Sequence, residues 1–235
     1  MASEDKFPLH TAAREGQVSV AEGLLKSDPK LSQRKDEDGR YPIHWAASSN
    51  NLDIVQLLAN QRSFDADVQD ESGWSPLMIS ASVPESEAVV KLLIAKDADV
   101  NLKNASGQTA LHFVASKKNL DIARILIDNS ASTRFRDRRG QYPIHRAAAV
   151  GSVPMVTLLL KNRSPLNPTD NEGYTPLHHA VAEGHGDTAV ALLKEGADFT
   201  IKNSAEELAL DLAPDKEVRN YILQGAEREG IELSG

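Results

Sequence analysis

Histidine is the side chain in this sequence best suited to proton transfer or metal binding, and the chain has seven of them. Five of these, His10, His44, His112, His145 and His178, fall at the same point of a recurring phrase. Successive helices pack about 8–10 Å apart, whereas one metal ion needs its ligand nitrogens within about 2.1 Å. The densest group is HHAVAEGHGD, in which His179 and Glu183 are four apart and could share a helix face, with His185 and Asp187 just beyond. It is not the His-Glu-x-x-His zinc motif, and Gly184 and Gly186 interrupt it. A polar cluster facing a partner is the expectation there, with no metal and no cofactor. The absence of cysteine excludes disulfides, thiolate zinc sites and a cysteine nucleophile. Serines are scattered without a Gly-x-Ser-x-Gly setting, and the glycines sit singly instead of forming a phosphate-cradling loop. No catalytic residue is assigned, and the chain is read as a non-enzyme.

The elements that position these side chains follow from the phrase itself. FPLHTAA begins at Phe7, YPIHWAA at Tyr41, SPLMISA at Ser75 and TALHFVA at Thr109. YPIHRAA follows at Tyr142, TPLHHAV at Thr175 and a worn copy, LALDLA, at Leu208, giving intervals of 34, 34, 34, 33, 33 and 33 residues. A glycine precedes the phrase at Gly39, Gly73, Gly107, Gly140 and Gly173, and three residues before each stands Asp36, Asp70, Asn104, Asp137 or Asp170. Asp or Asn can bond its own backbone and glycine accepts positive φ, so this element is a tight turn. Thr or Ser then caps a short Ala-rich helix with Pro at its first position. Gly151 and Gly184 break that helix, with Asn119 read as their counterpart, and a second helix carries an apolar stripe, as in LDIVQLLA and VPMVTLLL. No unit buries its apolar face alone, so stacking has to create the core.

This phrase and period resemble the ankyrin signature, and the resemblance implies that the recurring imidazole ties its helix to the adjoining turn by hydrogen bonds. The resemblance covers residues 5 to 225 and implies an all-α ankyrin-repeat solenoid of seven helix-turn-helix units with turn fingers. The units are placed at about 1–35, 36–69, 70–103, 104–136, 137–169, 170–202 and 203–225, forming a 1–225 repeat domain, and the polar stretch 226–235 is expected to fray. The end units depart from the pattern as caps should: the first lacks the turn glycine, and the last has Glu206 in the glycine's place and Asp211 in the histidine's.

Charge is uneven along the chain. Residues 1–103 hold 11 basic and 17 acidic side chains, residues 104–169 hold 10 and 3, and residues 170–235 hold 5 and 14, or net −6, +7 and −9. In a repeat array these blocks become a negative–positive–negative field that steers a partner. The positive block includes RFRDRRG, yet the acidic flanks argue against nucleic acid. Trp74 and Tyr174 each follow a turn glycine and should sit near the finger tips, while Trp45 opens a helix and is read equally as packing or as contact. The opening MASEDKFPLH lacks a signal pattern and no apolar run approaches a membrane span, so a cytoplasmic and nuclear chain without membrane contact is expected.

Particular stretches resemble the gankyrin family, the ankyrin chaperones of the proteasome regulatory particle: DEDGRYPIHWAA (Asp36–Ala47), DESGWSPL (Asp70–Leu77), ASKKNLDIA (Ala115–Ala123) and IHRAAAVGS (Ile144–Ser152), with DNEGYTPLHHAVAEGHGD (Asp170–Asp187) closer to its fungal members. The resemblance implies a non-catalytic assembly chaperone that clasps the C-terminal domain of one proteasomal ATPase subunit in its concave face. It carries over three contact positions, Arg40, Lys117 and Glu183. Turn-tip and inner-helix placement adds Asp38, Asp70, Glu71, Trp74, Lys118, Arg138, Arg139, Arg146, Glu172 and His179, with Trp45 and Tyr174 as aromatic anchors. A Leu-x-Cys-x-Glu motif for retinoblastoma-type partners, carried by some animal relatives, is ruled out by the lack of cysteine. The rival reading is an ankyrin scaffold or inhibitor of a kinase or transcription factor. A monomer is expected, since capped ends give no reason to self-associate.

Overall fold

The computed structural model describes residues 5–233. Its helices come in short pairs. They are α1 (Pro8–Glu15) with α2 (Val18–Ser27), α3 (Pro42–Ser48) with α4 (Leu52–Ala59), and α5 (Pro76–Ala81) with α6 (Glu87–Ala95). Then follow α7 (Ala110–Lys117) with α8 (Leu120–Asp128), α9 (Pro143–Ala149) with α10 (Val153–Lys161), and α11 (Pro176–Ala182) with α12 (Gly186–Lys194). The last helix is α13 (Lys216–Arg228); 3-10 turns lie at Pro29–Gln33 and Ala209–Leu212, and no strand occurs among the described residues beyond one isolated bridge, Lys202 to Leu208.

The chain divides into two compact units. Unit 1 runs to Ala110 and includes Arg124–Ala131, and unit 2 comprises Leu111–Ala123 and everything from Ser132. Within unit 1 the inner helices α1, α3 and α5 pack in sequence, as do the outer helices α2, α4 and α6. Within unit 2, α9 packs on α11 and α11 on the Ala209–Leu212 turn, while α10, α12 and α13 follow one another. Inner helices of six to eight residues are too short to hold by themselves in water. Their alanines, Ala46, Ala47, Ala147, Ala148 and Ala180 among them, are wholly buried and permit the close approach that substitutes for length.

Each finger is closed by its own turn residue. Asp36, Asp70, Asn104, Asp137, Asp170 and Asn203 each accept, through Oδ1, the backbone N–H groups two and four residues on, at 2.9–3.0 Å. Adjacent finger tips are also joined backbone to backbone: Ala105 N–H donates to Ser72 O at 3.0 Å in unit 1, and Asn171 to Arg139 O and Ser204 to Glu172 O, each at 2.9 Å, in unit 2. This approach leaves no room for a side chain at the turn glycine. At Gly73, with φ +77°, a Cβ would stand 2.6 Å from Ala105 N.

The recurring histidines tie each inner helix to the next finger. Nε2 of His10, His44, His112 and His178 lies 3.0–3.3 Å from the carbonyl of Arg40, Trp74, Gln141 and Glu207, the residue just past the following turn. His145 reaches both Pro168 O at 3.0 Å and Tyr174 O at 3.2 Å. At His44 and His145, Nδ1 accepts the backbone N–H at the start of its own helix, at 3.0 Å. Each ring is therefore the neutral tautomer protonated on Nε2, which donates to the carbonyl. Tyr41 and Tyr142 occupy the cap position expected for Ser or Thr in these units, and the histidine does the capping instead.

Three features differ from the sequence reading. The break between α7 and α8 is made by Lys118, at φ 59°, not by Asn119, whose Oδ1 instead caps α8 through the Ile122 N–H at 3.0 Å. The expected frayed stretch from residue 226 is in part ordered helix: α13 runs through Arg228 and Ala226 is wholly buried. In the seventh unit the first helix is reduced to the Ala209–Leu212 turn, because Pro214 lacks an N–H and forces Ala213 out of the helical region.

Two expectations follow. Gly73→Ala should lower unfolding free energy by about 3 kcal/mol or more, a clash added to the left-handed backbone cost, while Gly196→Ala, equally left-handed at φ +90° but with nothing within 4 Å, should lose only that backbone cost, about 1–2 kcal/mol. Urea titrations of both variants separate backbone strain from finger contact, and equal losses would remove the contact as a cause. The second concerns acid. Burial pushes the pKa of His10, His44 and His178 down, and that of His145 from its usual 6.5 to about 4. The unfolded chain thus binds more protons between those values, so this stability is complete above about pH 6.5 and drains as pH falls towards 4. His145 alone accounts for about 3 kcal/mol of that loss, by conversion of its shift. A urea midpoint unchanged between pH 7 and 4.5 would contradict the neutral ties.

Candidate inner-face interaction site

The turn carboxylates have a second oxygen, and that oxygen organises the inner face. Nine residues after its turn residue, each of three units carries a side chain that reaches back to Oδ2. Trp45 Nε1 donates to Asp36 at 2.7 Å, Arg146 Nη2 to Asp137 at 2.8 Å, and His179 Nε2 lies 3.0 Å from Asp170. The Asp70 Oδ2 instead takes Arg40 Nε from the preceding finger at 3.2 Å, and Gln141 Nε2 adds a second bond to Asp170 at 3.2 Å. Burial alone would raise the pKa of Asp36 and Asp170, but the donors around each outweigh it and hold both below the usual carboxylate range. For Asp36 these are Trp45 and the Arg40 and Asp38 amides; for Asp170 they are His179, Gln141 and the Tyr174 and Glu172 amides.

In unit 1 this geometry builds a small layered surface. The Trp45 ring is approached by two guanidinium groups, Arg14 at 5.7 Å and Arg40 at 5.1 Å from its centroid, both within cation–π range. Arg40 is at once stacked on Trp45 and paired with the buried Asp70. Asp70 is 8% exposed and holds Ser72, Trp74 and Arg40, so its influence on a partner passes through Arg40. Trp74 is half-buried; its amide is bound by Asp70 and its carbonyl faces His44. Asp38 and Glu71 are exposed on the finger tips, with Glu71 lying across Gly39.

In unit 2, Arg146 and His179 are half-buried, and the Tyr174 ring rests against both His178 and His179 at 5.6 and 5.5 Å. Lys117, Lys118, Arg138, Arg139, Glu172 and Glu183 are exposed. None of the six makes an ion pair among the described residues. The polar group around His179 does not converge. His179 turns to Asp170, Glu183 caps the end of α11, His185 packs over Gly151, and Asp187 accepts from the Tyr221 hydroxyl. No cluster of three His, Cys, Asp or Glu with metal-binding geometry exists among the described residues.

Sequence reasoning did not identify the nine-residue link or Arg14. The link was readable, because Trp45, Arg146 and His179 occupy one column of the repeat with Ile79 and Phe113, where the hydrogen-bonding side chain is replaced by an apolar one. Arg14 carried no such signal, since its role depends on the helix of the next unit lying beside it.

Comparison with known proteins adds the family. A family model for ankyrin repeats in three copies matches residues 9–104, 62–137, 85–169 and 111–203. Among solved structures, the ankyrin repeat domain of human ASB11 is similar with a TM-score of 0.81 at 21% identity, covering 93% of this chain and 97% of that one. The ankyrin repeat domain of Bcl-3, described as a unique member of the IkappaB protein family, is similar with a TM-score of 0.77 at 22% identity, covering 94% and 99%. A search of curated protein sequences returned no match. With matched fingers, histidine ties and paired helices along its length, this chain is an all-helical solenoid of the ankyrin repeat family, whose members are in general non-catalytic scaffolds for protein interaction.

Proposed function

We propose that this protein is an assembly chaperone of the proteasome regulatory particle, binding the C-terminal domain of one of its ATPase subunits through inner-helix and finger side chains. The observation that carries the reading is the set of unpaired cations in unit 2. Lys117, Lys118, Arg138 and Arg139 are exposed and uncompensated within a block of net charge +7. Lys117 and Lys118 fall inside a stretch that resembles the gankyrin family, Ala115–Ala123, and Arg138 and Arg139 stand shortly before another, Ile144–Ser152. Exposed, unpaired charge of one sign contributes little to folding and much to the rate and register of association. Arg40 supports the same reading from unit 1, since stacking on Trp45 and pairing with Asp70 fix its guanidinium before a partner arrives. Residence in cytoplasm and nucleus belongs to this proposal, as does action as a monomer.

Affinity purification of the tagged protein from its own cells, with mass spectrometry, tests the partner. Proteasomal ATPases without the proteolytic core support the proposal, whereas kinases or transcription factors with no proteasome subunit replace it with the scaffold or inhibitor reading. Reversing Arg138 and Arg139 together to Glu should weaken binding of the captured partner about tenfold or more, mainly through slower association, with helical content unchanged. The wild-type interaction should also weaken steeply with salt, because exposed charges are screened over about 8–10 Å. Titration calorimetry at two ionic strengths measures both; an unchanged affinity would remove the basic block from the site.

A further inference from the structure

The reduced seventh unit leaves unit 2 with a gap in its core. Where α11 supplies seven helical residues, the matching segment is the short Ala209–Leu212 turn, and Ala209 contributes only a methyl group to the space facing α11, α12 and α13. The result is a partly enclosed pocket of about 190 Å³ lined chiefly by Leu177, Val181, Leu193, Phe199, Leu208 and Ile222. Thr200 and two charged residues, Asp211 and Arg219, border it at the rim, and each of the charged pair makes a bond to backbone. Asp211 Oδ2 accepts the Leu208 N–H at 3.1 Å, and Arg219 Nη1 donates to Leu210 O at 2.7 Å. Only Arg146 Nε and Thr188 Oγ1 are buried polar side-chain atoms without a partner among the described residues, and neither residue lines the pocket. The chain itself returns to it: Gly230, at φ 73°, reverses the backbone after α13, Ile231 N–H donates to Ala226 O at 2.9 Å, and Leu233 completes the wall.

We propose that this pocket is a binding site for a compact, neutral, apolar ring of about the size of toluene. Size and lining both select that class. A cavity of about 150 Å³ walled by leucine, isoleucine and phenylalanine stays dry and takes up benzene, because water there would find none of the two to four polar partners it needs. The present pocket is somewhat larger, and its wall is chiefly of the same kinds of side chain, with Thr200, Asp211 and Arg219 as its polar members. A charged or strongly hydrogen-bonding ring would lose its hydration against the leucine, valine, isoleucine and phenylalanine of the wall. The site is independent of the partner surface proposed above, which uses other residues.

Toluene is the probe, with pyrimidine as a polar ring of similar shape. On the full chain, toluene at ten times its Kd should raise Tm by about 3–6 °C, and pyrimidine at equal concentration should not. Methyl resonances of Leu177, Val181, Leu193 and Ile222 should shift saturably with one toluene per chain. Ala209→Leu fills the pocket and should abolish both effects, and Leu210→Phe, at a less buried position of the same wall, serves if the first variant does not fold. Absence of saturable shifts at those four methyl-bearing residues in the wild-type chain overturns the proposal. So does an equal Tm gain in a folded, filled variant or with pyrimidine, which would mark a non-specific solvent effect.

Discussion

A finger of an ankyrin unit is a stretch of chain that turns back on itself without a sheet to receive its hydrogen bonds, and its exposed amides have to be satisfied by something carried in the same few residues. In this protein the carboxylate or amide oxygen at Asp36, Asp70, Asn104, Asp137, Asp170 and Asn203 does so, taking two backbone N–H groups each. The histidine of the preceding helix then fixes the carbonyl just beyond the turn. Without that pair of constraints the short inner helices would have neither a capped start nor a neighbour held at packing distance. Helices of this length depend on tertiary contact for nearly all their stability.

The same oxygen pair explains why the candidate site is ordered in the free protein. One carboxylate oxygen belongs to the turn, and the other selects whatever polar side chain stands nine residues on, drawing Trp45, Arg146 and His179 into defined positions. Long side chains that are already fixed lose less conformational freedom when a partner binds, so part of the entropic cost is met during folding. Arg40 illustrates the coupling between the two roles, since a single guanidinium bridges a buried turn carboxylate and an indole ring. Substituting it would perturb the finger as well as the surface, whereas Arg138 and Arg139, whose side chains make no ion pair, separate binding from stability.

The period and the turn chemistry were legible in the sequence, because each depends on residues close in the chain or repeated at one interval, and the tie made by the five histidines followed from the resemblance to ankyrin units. What escaped depended on detail finer than residue type. Asn119 was the natural choice for the left-handed break, asparagine being far better suited to positive φ than lysine, yet register places Lys118 there and uses Asn119 as a cap. The end of α13 was hidden because polar residues outnumber apolar ones in QGAEREG. The buried Gly225 and Ala226 are small rather than greasy, and close packing of Gly225 against Val190 needs smallness alone. The nine-residue links from Asp36, Asp137 and Asp170 lie within one unit and could be read from the repeat column, whereas the contacts of Arg14 with Trp45 and of Arg40 with Asp70 join residues about 30 apart and had no local signal.

The histidines that first suggested chemistry argue, once placed, for a molecule that acts through its surface. A general acid or base has to exchange protons near the working pH with a group it can touch. His44 and His145 instead have both ring nitrogens bound to backbone and no exposed surface, and burial pushes His145 to about 4, far from neutrality. Their polarity is consumed in holding successive units together. What remains available to another molecule is the layer above them, the stacked Arg14, Trp45 and Arg40 in unit 1 and the uncompensated cations of unit 2, and each of these gains its reach from a frame whose reactive groups are already spoken for.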